Sequence, residues 1–310
     1  MQCGKVSIIM EVKKQRKVRG KMIETLKAGQ LEIQVSTLGA ELQSVKGADG
    51  FEYLWQGDPT YWTGRSPILF PIIGGLPEET YTWNGKAYHM GSHGFARKSE
   101  FVLSKRTADC LEFKLSDNEN TRSQYPFAFD FFVIYTIKEN TLSEGFRVVN
   151  KSDSVMPFSV GGHPAFNCPL EPSKQYHDYI LKFEHPETAG RRIKANKLLT
   201  GEVLPFLDGE KEKRLEHSYF YNDAVILKGL KSTWVELTSG SGRSIRMDFA
   251  GFTDFGIWSC ANDGPYVCLE PWYGVDSTAG DSGRFEDKEG MLYLPAGETF
   301  EAAFRMTFRS

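Results

Sequence analysis

Cysteine is scarce in this 310-residue chain, and the five that it has are scattered, with no C-x-x-C pair among them. A disulfide framework and a zinc knuckle both need regular or paired cysteines, so neither is expected. No apolar run approaches the roughly 20 residues of a membrane span, and no signal-peptide core follows a basic start. The sequence therefore predicts a cytoplasmic protein with no membrane contact.

Signatures of cofactors and metals are missing as well. The chain has no glycine-rich phosphate loop, no G-x-S-x-G elbow and no His-Glu-x-x-His motif. His89 and His93 have the spacing of two zinc ligands on a helix, but Gly91 and Gly94 disfavour a helix there. We therefore expect neither a cofactor nor a metal. A net charge of −3 also argues against nucleic acid as a partner.

Positive charge is concentrated at the N-terminus. Residues 1–21 carry seven Lys/Arg and one Glu, whereas residues 22–310 carry 30 basic and 39 acidic groups. We interpret residues 1–21 as a disordered extension, either a start assigned upstream of Met22 or a basic surface-binding arm. Strand and turn texture then continues to the end without a linker, which predicts a single domain over residues 22–310.

Apolar and polar residues alternate along most of the chain. The clearest alternating segments are residues 31–35, 111–115 and 300–308. The turn signals between such segments include Asn84-Gly85, Glu139-Asn140 and residues 240–242. A period of two with short turns indicates antiparallel hairpins that are buried on one face. With no amphipathic helix longer than two or three turns, the predicted fold class is all-β, a large antiparallel β-sandwich.

Residues 264–274 (GPYVCLEPWYG) deliver one carboxylate, Glu270, from an apolar strand. Pro271 has no N–H to donate, so the ladder of the strand is expected to end beside the acid. Apolar neighbours withhold water from the carboxylate and make it a stronger proton acceptor. Glu270 is therefore a candidate general base, with an arginine salt bridge or an exposed loop position as the alternative.

Two histidines lie where glycine and proline interrupt the strand pattern. His163 follows an apolar strand in the segment VGGHPAF (residues 160–166), where Gly161 and Gly162 allow close approach of a ligand. This placement suits a general acid, although a histidine packed in a tight turn has the same pattern. His93, in GSHGFAR (residues 91–97), is a candidate hydrogen-bonding residue or a turn histidine.

Three further charged residues are candidate ligand contacts. Arg65 stands at the edge of an apolar stretch, and its guanidinium suits either two adjacent sugar hydroxyls or a carboxylate such as Glu270. Arg97 could contact a phosphate near a sugar site. Asp223 could accept from sugar hydroxyls or cap a turn. A surface position for the arginines remains the alternative.

Four blocks together resemble the aldose 1-epimerase (galactose mutarotase) family, especially its LacX-like branch. They are RSPILFP (65–71), GSHGFAR (91–97), GGHP (161–164) and LEPW (269–272). The resemblance implies a β-supersandwich with Glu270 as base and His163 as acid. It also implies substrate contacts from His93, Arg65 and Asp223. Gly75 departs from the LacX-like pattern, in which a basic residue is expected, and this bears on the choice of substrate.

The resemblance implies an isomerase that interconverts the α and β anomers of a hexose. Opening a pyranose requires one group to take the proton of the C1 hydroxyl and another to protonate the ring oxygen, which a carboxylate and an imidazole can do without a cofactor. The alternatives are a hexose-6-phosphate 1-epimerase and a sugar-binding protein without turnover. The expected partner is a monosaccharide, and the expected state is a monomer or homodimer.

Overall fold

The structure is a computed structural model that describes residues 16–18 and 21–310, with side chains from Met22 onward. Most of the predicted disordered extension, residues 1–21, lies outside the described residues and stays a prediction. Within it, the backbone of residues 16–18 pairs antiparallel with residues 21–23. None of the helices in the described ranges is long and apolar enough to cross a membrane.

Strands dominate the described chain. The first twelve are β1 (Arg16–Val18), β2 (Lys21–Ala28), β3 (Leu31–Ser36), β4 (Leu42–Lys46), β5 (Ile68–Leu69), β6 (Thr80–Trp83), β7 (Lys86–His89), β8 (Val102–Arg106), β9 (Cys110–Ser116), β10 (Phe129–Lys138), β11 (Thr141–Asn150) and β12 (Met156–Phe158). They are followed by β13 (Val160–Gly162), β14 (Ala165–Asn167), β15 (Ile180–Ala195), β16 (Leu198–Arg214), β17 (Val225–Lys228), β18 (Trp234–Thr238), β19 (Ser244–Asp248), β20 (Asp254–Trp258), β21 (Tyr266–Tyr273), β22 (Leu292–Leu294) and β23 (Thr299–Arg309).

Helical structure is limited to short pieces. The α-helix α1 (Glu119–Gln124) begins with a capping box in which the Asn118 side chain accepts from the Thr121 backbone N–H. The 3₁₀ turns are Pro77–Glu79, Ala96–Lys98, Tyr176–Asp178, His217–Phe220 and Phe285–Asp287. The prediction of an all-β fold is confirmed.

One large antiparallel sheet carries most of the strands. Its order is β5-β13-β21-β20-β17-β15-β18-β19-β23-β11-β10-β9-β8, with β14 also paired to β21 and β16 to β15. Strands β1 to β4 form a second sheet, and β6–β7 and β12–β22 form two small ones. The hairpins predicted at Asn84-Gly85, Glu139-Asn140 and residues 240–242 are those of β6–β7, β10–β11 and β18–β19.

The main core lies between the large sheet and the four-stranded sheet. Ile33 and Val35 of β3 belong to the same buried apolar cluster as Phe131 of β10 and Phe304 of β23. This arrangement is the expected result of alternating sequences, since each strand buries one face. The large antiparallel sandwich that the sequence predicts is therefore confirmed.

Strand β21 separates two environments. Val267 and Leu269 point into the main core. Cys268 and Trp272, whose side chains alternate with that set along the strand, belong to two smaller apolar clusters on the opposite face. Glu270 lies between Cys268 and Trp272 in the alternation, so its side chain emerges between these two clusters.

Candidate active site

The sheet register brings His163 opposite Glu270. Gly161 of β13 pairs with Trp272, and Ala165 of β14 pairs with Cys268. His163 is midway between the first two positions in the chain, and Glu270 is midway between their partners, so the two face each other. Pro164 has no N–H and interrupts the ladder at this point. The imidazole Nε2 of His163 lies 3.2 Å from the carboxylate Oε2 of Glu270.

Both members of this pair are withdrawn from water. Glu270 is 1% exposed and His163 is 9% exposed. Burial raises the pKa of Glu270 well above its usual range, although the nearby charge of Lys194 opposes this. Burial also lowers the pKa of His163 to about 3. Burial thus favours the neutral form of both groups, and a proton shared by the pair is favoured on the carboxyl. Glu270 Oε2 has no hydrogen-bond partner among the described residues, although His163 Nε2 lies 3.2 Å away.

His93 is fixed by the main chain of Gly74. The Gly74 N–H donates to His93 Nδ1 at 3.1 Å, and the His93 N–H donates to the Gly74 carbonyl at 2.8 Å. Burial, followed by the charges of His163 and Arg97, lowers the pKa of His93 well below its usual value. A neutral imidazole that accepts at Nδ1 carries its proton on Nε2, so His93 can act as a hydrogen-bond donor. Its ring centre lies 6.1 Å from that of His163.

The two candidate arginines are held by main-chain carbonyls. Arg65 Nη1 donates to the Gln43 carbonyl at 2.6 Å, and Arg97 Nη2 donates to the Ser92 carbonyl at 2.8 Å. The alternative pairing of Arg65 with Glu270 is not present among the described salt bridges. The Arg97 charge nevertheless contributes to lowering the pKa of His163, after burial. Arg97 therefore belongs to the surroundings of the site.

Asp223 makes the turn contact considered for it and also faces a lysine. Its Oδ1 accepts from the Ala224 N–H at 2.7 Å, which is a turn contact before β17. Its Oδ2 lies 3.2 Å from Lys194 Nζ, and the same ammonium lies 3.3 Å from Asp276 Oδ1. Sequence reasoning missed Lys194 and Asp276. Neither lies in a distinctive motif, and only the folding of the β15–β16 hairpin brings Lys194 to Asp276.

An aromatic wall covers the imidazole. Trp62 stacks on His163 with ring centres 5.1 Å apart and an interplanar angle of 27°, and Trp258 meets the same imidazole edge-on at 5.7 Å. Sequence reasoning missed Trp62, although the aromatic-rich segment around it was a usable signal. Trp272, in contrast, is packed in the protein interior. It is 3% exposed and lies against Gly161 and Gly256, where a Cβ would come within 2.6 Å of its ring.

The residues around Glu270 include one group with the composition of a metal site. His163, Cys268 and Glu270 are the one group in the described chain whose ligand atoms lie within 4.8 Å of one another. Burial raises the pKa of the Cys268 thiol well above its usual value. A protonated thiol is a poor ligand because metal binding requires the thiolate. The donor set thus suits proton transfer better than metal coordination.

The fold and the site define an all-β sandwich protein with a buried carboxyl and imidazole pair as its candidate chemical centre. The model of the aldose 1-epimerase family matches residues 22–305. Chromosomal protein LacX of Lactococcus lactis subsp. lactis is 36% identical over 292 residues, which cover 91% of this chain and 98% of LacX. The chain therefore belongs to the aldose 1-epimerase family, and the resemblance that the four sequence blocks indicate is confirmed.

Solved structures agree on the fold. A galactose mutarotase related enzyme from Lactobacillus acidophilus superposes with a TM-score of 0.88 at 36% identity, covering 93% of this chain and 98% of its own. A galactose mutarotase-like protein from Lactobacillus casei ATCC 334 gives a TM-score of 0.87 at 31% identity, covering 93% and 100%. The predicted galactose mutarotase-like supersandwich is therefore confirmed.

Proposed function

We propose that this protein is an aldose 1-epimerase that interconverts the α and β anomers of a hexose. The observation that carries the proposal is the buried pair of Glu270 and His163, whose reactive atoms lie 3.2 Å apart. Anomer interconversion needs one proton acceptor and one proton donor close together, and it needs no change of oxidation state. The family membership of the chain supports the same reaction class.

The proposed reaction moves two protons and breaks one bond. Glu270, as carboxylate, takes the proton of the C1 hydroxyl while His163 gives a proton to the ring oxygen, and the C1–O5 bond opens to an aldehyde. Rotation about C1–C2 and the reverse transfers close the ring as the other anomer. Because burial favours the proton on Glu270, the productive form requires its transfer to His163, and the 3.2 Å contact provides the path.

The remaining candidates are proposed to hold the sugar. His93 offers an Nε2–H donor beside His163, since its Nδ1 is occupied by the Gly74 N–H. Arg65 and Arg97 present guanidinium donors, and Asp223 presents a carboxylate that can accept from hydroxyls. Donors and acceptors of this kind suit a substrate whose surface is mainly hydroxyl groups.

The charge balance around Lys194 favours a neutral hexose over a hexose 6-phosphate. The Lys194 ammonium is already matched by Asp223 and Asp276. Two carboxylates beside Lys194 leave this lysine little excess positive charge for a phosphate dianion, so a phosphate would have to bind Arg65 or Arg97, which are held by main-chain carbonyls. We therefore propose a free sugar as substrate and a cytoplasmic location, with the phosphorylated sugar as the rival.

Polarimetry on freshly dissolved α-glucose and α-galactose tests the proposal. The wild-type protein is expected to accelerate mutarotation. Glu270→Gln and His163→Asn are each expected to lower the enzyme-dependent rate roughly 10²- to 10⁴-fold, the usual contribution of one acid or base. Glu298→Gln and His177→Asn make the same chemical changes at exposed positions and should leave the rate unchanged.

Three outcomes discriminate the alternatives. Acceleration that is lost in both site variants, with thermal unfolding unchanged, supports the acid/base pair. Acceleration with glucose 6-phosphate but not with either free sugar would show that the substrate is a hexose 6-phosphate and not a free hexose. Sugar binding in calorimetry without acceleration of either kind would contradict the enzymatic proposal and leave a sugar-binding protein.

A further inference from the structure

A lysine outside every recognised motif lies at the edge of the site. Lys194 is the last residue but one of β15, just before the tip of the β15–β16 hairpin. Its side chain is 12% exposed, and its ammonium forms salt bridges to Asp223 at 3.2 Å and to Asp276 at 3.3 Å. A long cationic side chain is seldom buried to this degree without a specific partner set.

The hairpin tip is anchored, so the position of this lysine is defined. The Leu199 N–H donates to the Ser277 carbonyl at 2.9 Å, and the Ala279 N–H donates to the Leu199 carbonyl at 2.7 Å. The Lys197 carbonyl lies where a Cβ on Gly75 would approach to 2.7 Å. Since real Cβ atoms do not come so close to a backbone oxygen, the glycine at position 75 is what lets the tip seat here.

A short chain of contacts joins Lys194 to the reacting pair. Its partner Asp276 also accepts from the Gly75 N–H at 2.9 Å, and the neighbouring Gly74 N–H holds His93. The charge of Lys194 is the largest electrostatic influence on the Glu270 carboxyl after burial, and it also acts on His163. Lys194 therefore lies within the electrostatic reach of both proposed proton carriers.

An ammonium group has three N–H donors. The two carboxylates account for two of them, and these salt bridges are the contacts that the described residues offer this group. A sugar hydroxyl in the site would give the remaining donor an acceptor. The carboxylates hold the ammonium in place and so keep its third donor in a fixed direction.

We propose that Lys194 is a substrate-binding residue of this site, donating a hydrogen bond to a sugar hydroxyl. The inference rests on the proposed function for the identity of the ligand. It assigns to the β15–β16 hairpin a direct part in recognising the sugar, with Gly75 as the residue that makes room for it.

The test compares Lys194→Met with Lys197→Met. Both remove one lysine charge from the same hairpin, but the Lys197 side chain is 74% exposed and its ammonium lies 3.6 Å from Glu79. Lys194→Met is expected to raise KM roughly 10- to 100-fold, the effect of losing one hydrogen bond to a charged donor, with a smaller change in kcat. Lys197→Met should match the wild type.

The pH profile of kcat/KM gives a readout that a purely structural role would not move. The charged groups that act on Glu270 are Lys194, Asp223 and Asp276, besides the adjacent His163. Without the cation the carboxyl binds its proton more tightly, so Lys194→Met should move the basic limb to higher pH. Lys194→Arg keeps the charge and should leave that limb in place while raising KM.

Loss of the lysine also leaves two carboxylates unpaired, so folding is controlled by a second variant. Lys194→Met combined with Asp276→Asn removes one of these charges and keeps an acceptor for the Gly75 N–H. An unchanged KM and unchanged sugar affinity in either folded variant would overturn the proposal. So would a KM increase without movement of the basic limb in Lys194→Met.

The design separates this inference from the proposed function. If the wild type does not accelerate mutarotation, the enzymatic function fails, whatever Lys194 does. Calorimetric titration with glucose then still tests the lysine, since Lys194→Met should bind the sugar roughly 10- to 100-fold more weakly than Lys197→Met. Equal affinities of these two variants would refute the role of Lys194 alone.

Discussion

Replacing Glu144 with glutamine is expected to make the stability of the protein less dependent on pH between 4.5 and about 8. Glu144 lies in β11 opposite Phe304 and is fully buried, and neither of its carboxyl oxygens has a hydrogen-bond partner among the described residues. It lies beside β13, the strand that leads to His163, since a Cβ on Gly162 would be 3.1 Å from its Oε1.

The sign of the effect follows from the direction of the shift. Burial raises the pKa of Glu144 from 4.5 to about 8, so the folded protein keeps a proton that the unfolded chain releases. Its contribution to stability is complete below pH 4.5 and is lost as the pH rises through about 8. At about 1.4 kcal/mol for each pKa unit, the loss over this range is about 5 kcal/mol. This is a large part of the roughly 5–15 kcal/mol that stabilises a typical protein.

Urea unfolding at several pH values between about 5 and about 8.5 measures the effect. The free energy of unfolding of the wild type should fall relative to that of Glu144→Gln as the pH rises. Glu298→Gln, which alters an exposed carboxyl, should follow the wild type. If the wild type and Glu144→Gln keep a constant difference across the range, the carboxyl is not held protonated by burial and the reasoning is wrong.

Three further outcomes are expected. Burial holds the pKa of His163 near 3, so the mutarotation rate should persist as the pH falls through the usual histidine value of 6.5, and a midpoint near 6.5 in the pH profile would contradict this. Gly75→Ala places a Cβ 2.7 Å from the Lys197 carbonyl and should displace the hairpin tip, raising KM, whereas Gly91→Ala enters open space and should not, as steady-state kinetics can measure. Trp62→Ala removes the ring stacked on His163, so water should raise the imidazole pKa in an NMR titration; an unchanged value would show that this ring does not exclude water.

Much of the fold could be predicted from the sequence because strand formation leaves a local signature. Alternation over residues 111–115 and 300–308 corresponds to β9 and β23, and Asn84-Gly85 forms the β6–β7 turn. Side-chain period and turn chemistry are properties of neighbouring residues, and antiparallel hairpins join neighbours in the chain. The order of distant strands in the large sheet has no such local signal.

The candidate site was predictable only in part. Glu270 and His163 stood out because glycine and proline interrupt the strands that carry them, and the structure brings them together at 3.2 Å. Lys194 and Asp276 have ordinary local contexts, and their salt bridge depends on the seating of a hairpin tip. Arg65 was a candidate partner for Glu270, yet its guanidinium bonds to the Gln43 carbonyl instead.

The sequence by itself determined the fold class, the four family blocks and the two proposed proton carriers, because each is encoded in residues that are adjacent in the chain. Only the tertiary structure decided that His163 faces Glu270, that Trp272 packs against glycines while Trp62 covers the imidazole, and that Lys194 joins the site. These relations depend on the register between strands and on burial. Both arise from the packing of residues that are far apart in the chain, which local patterns cannot specify.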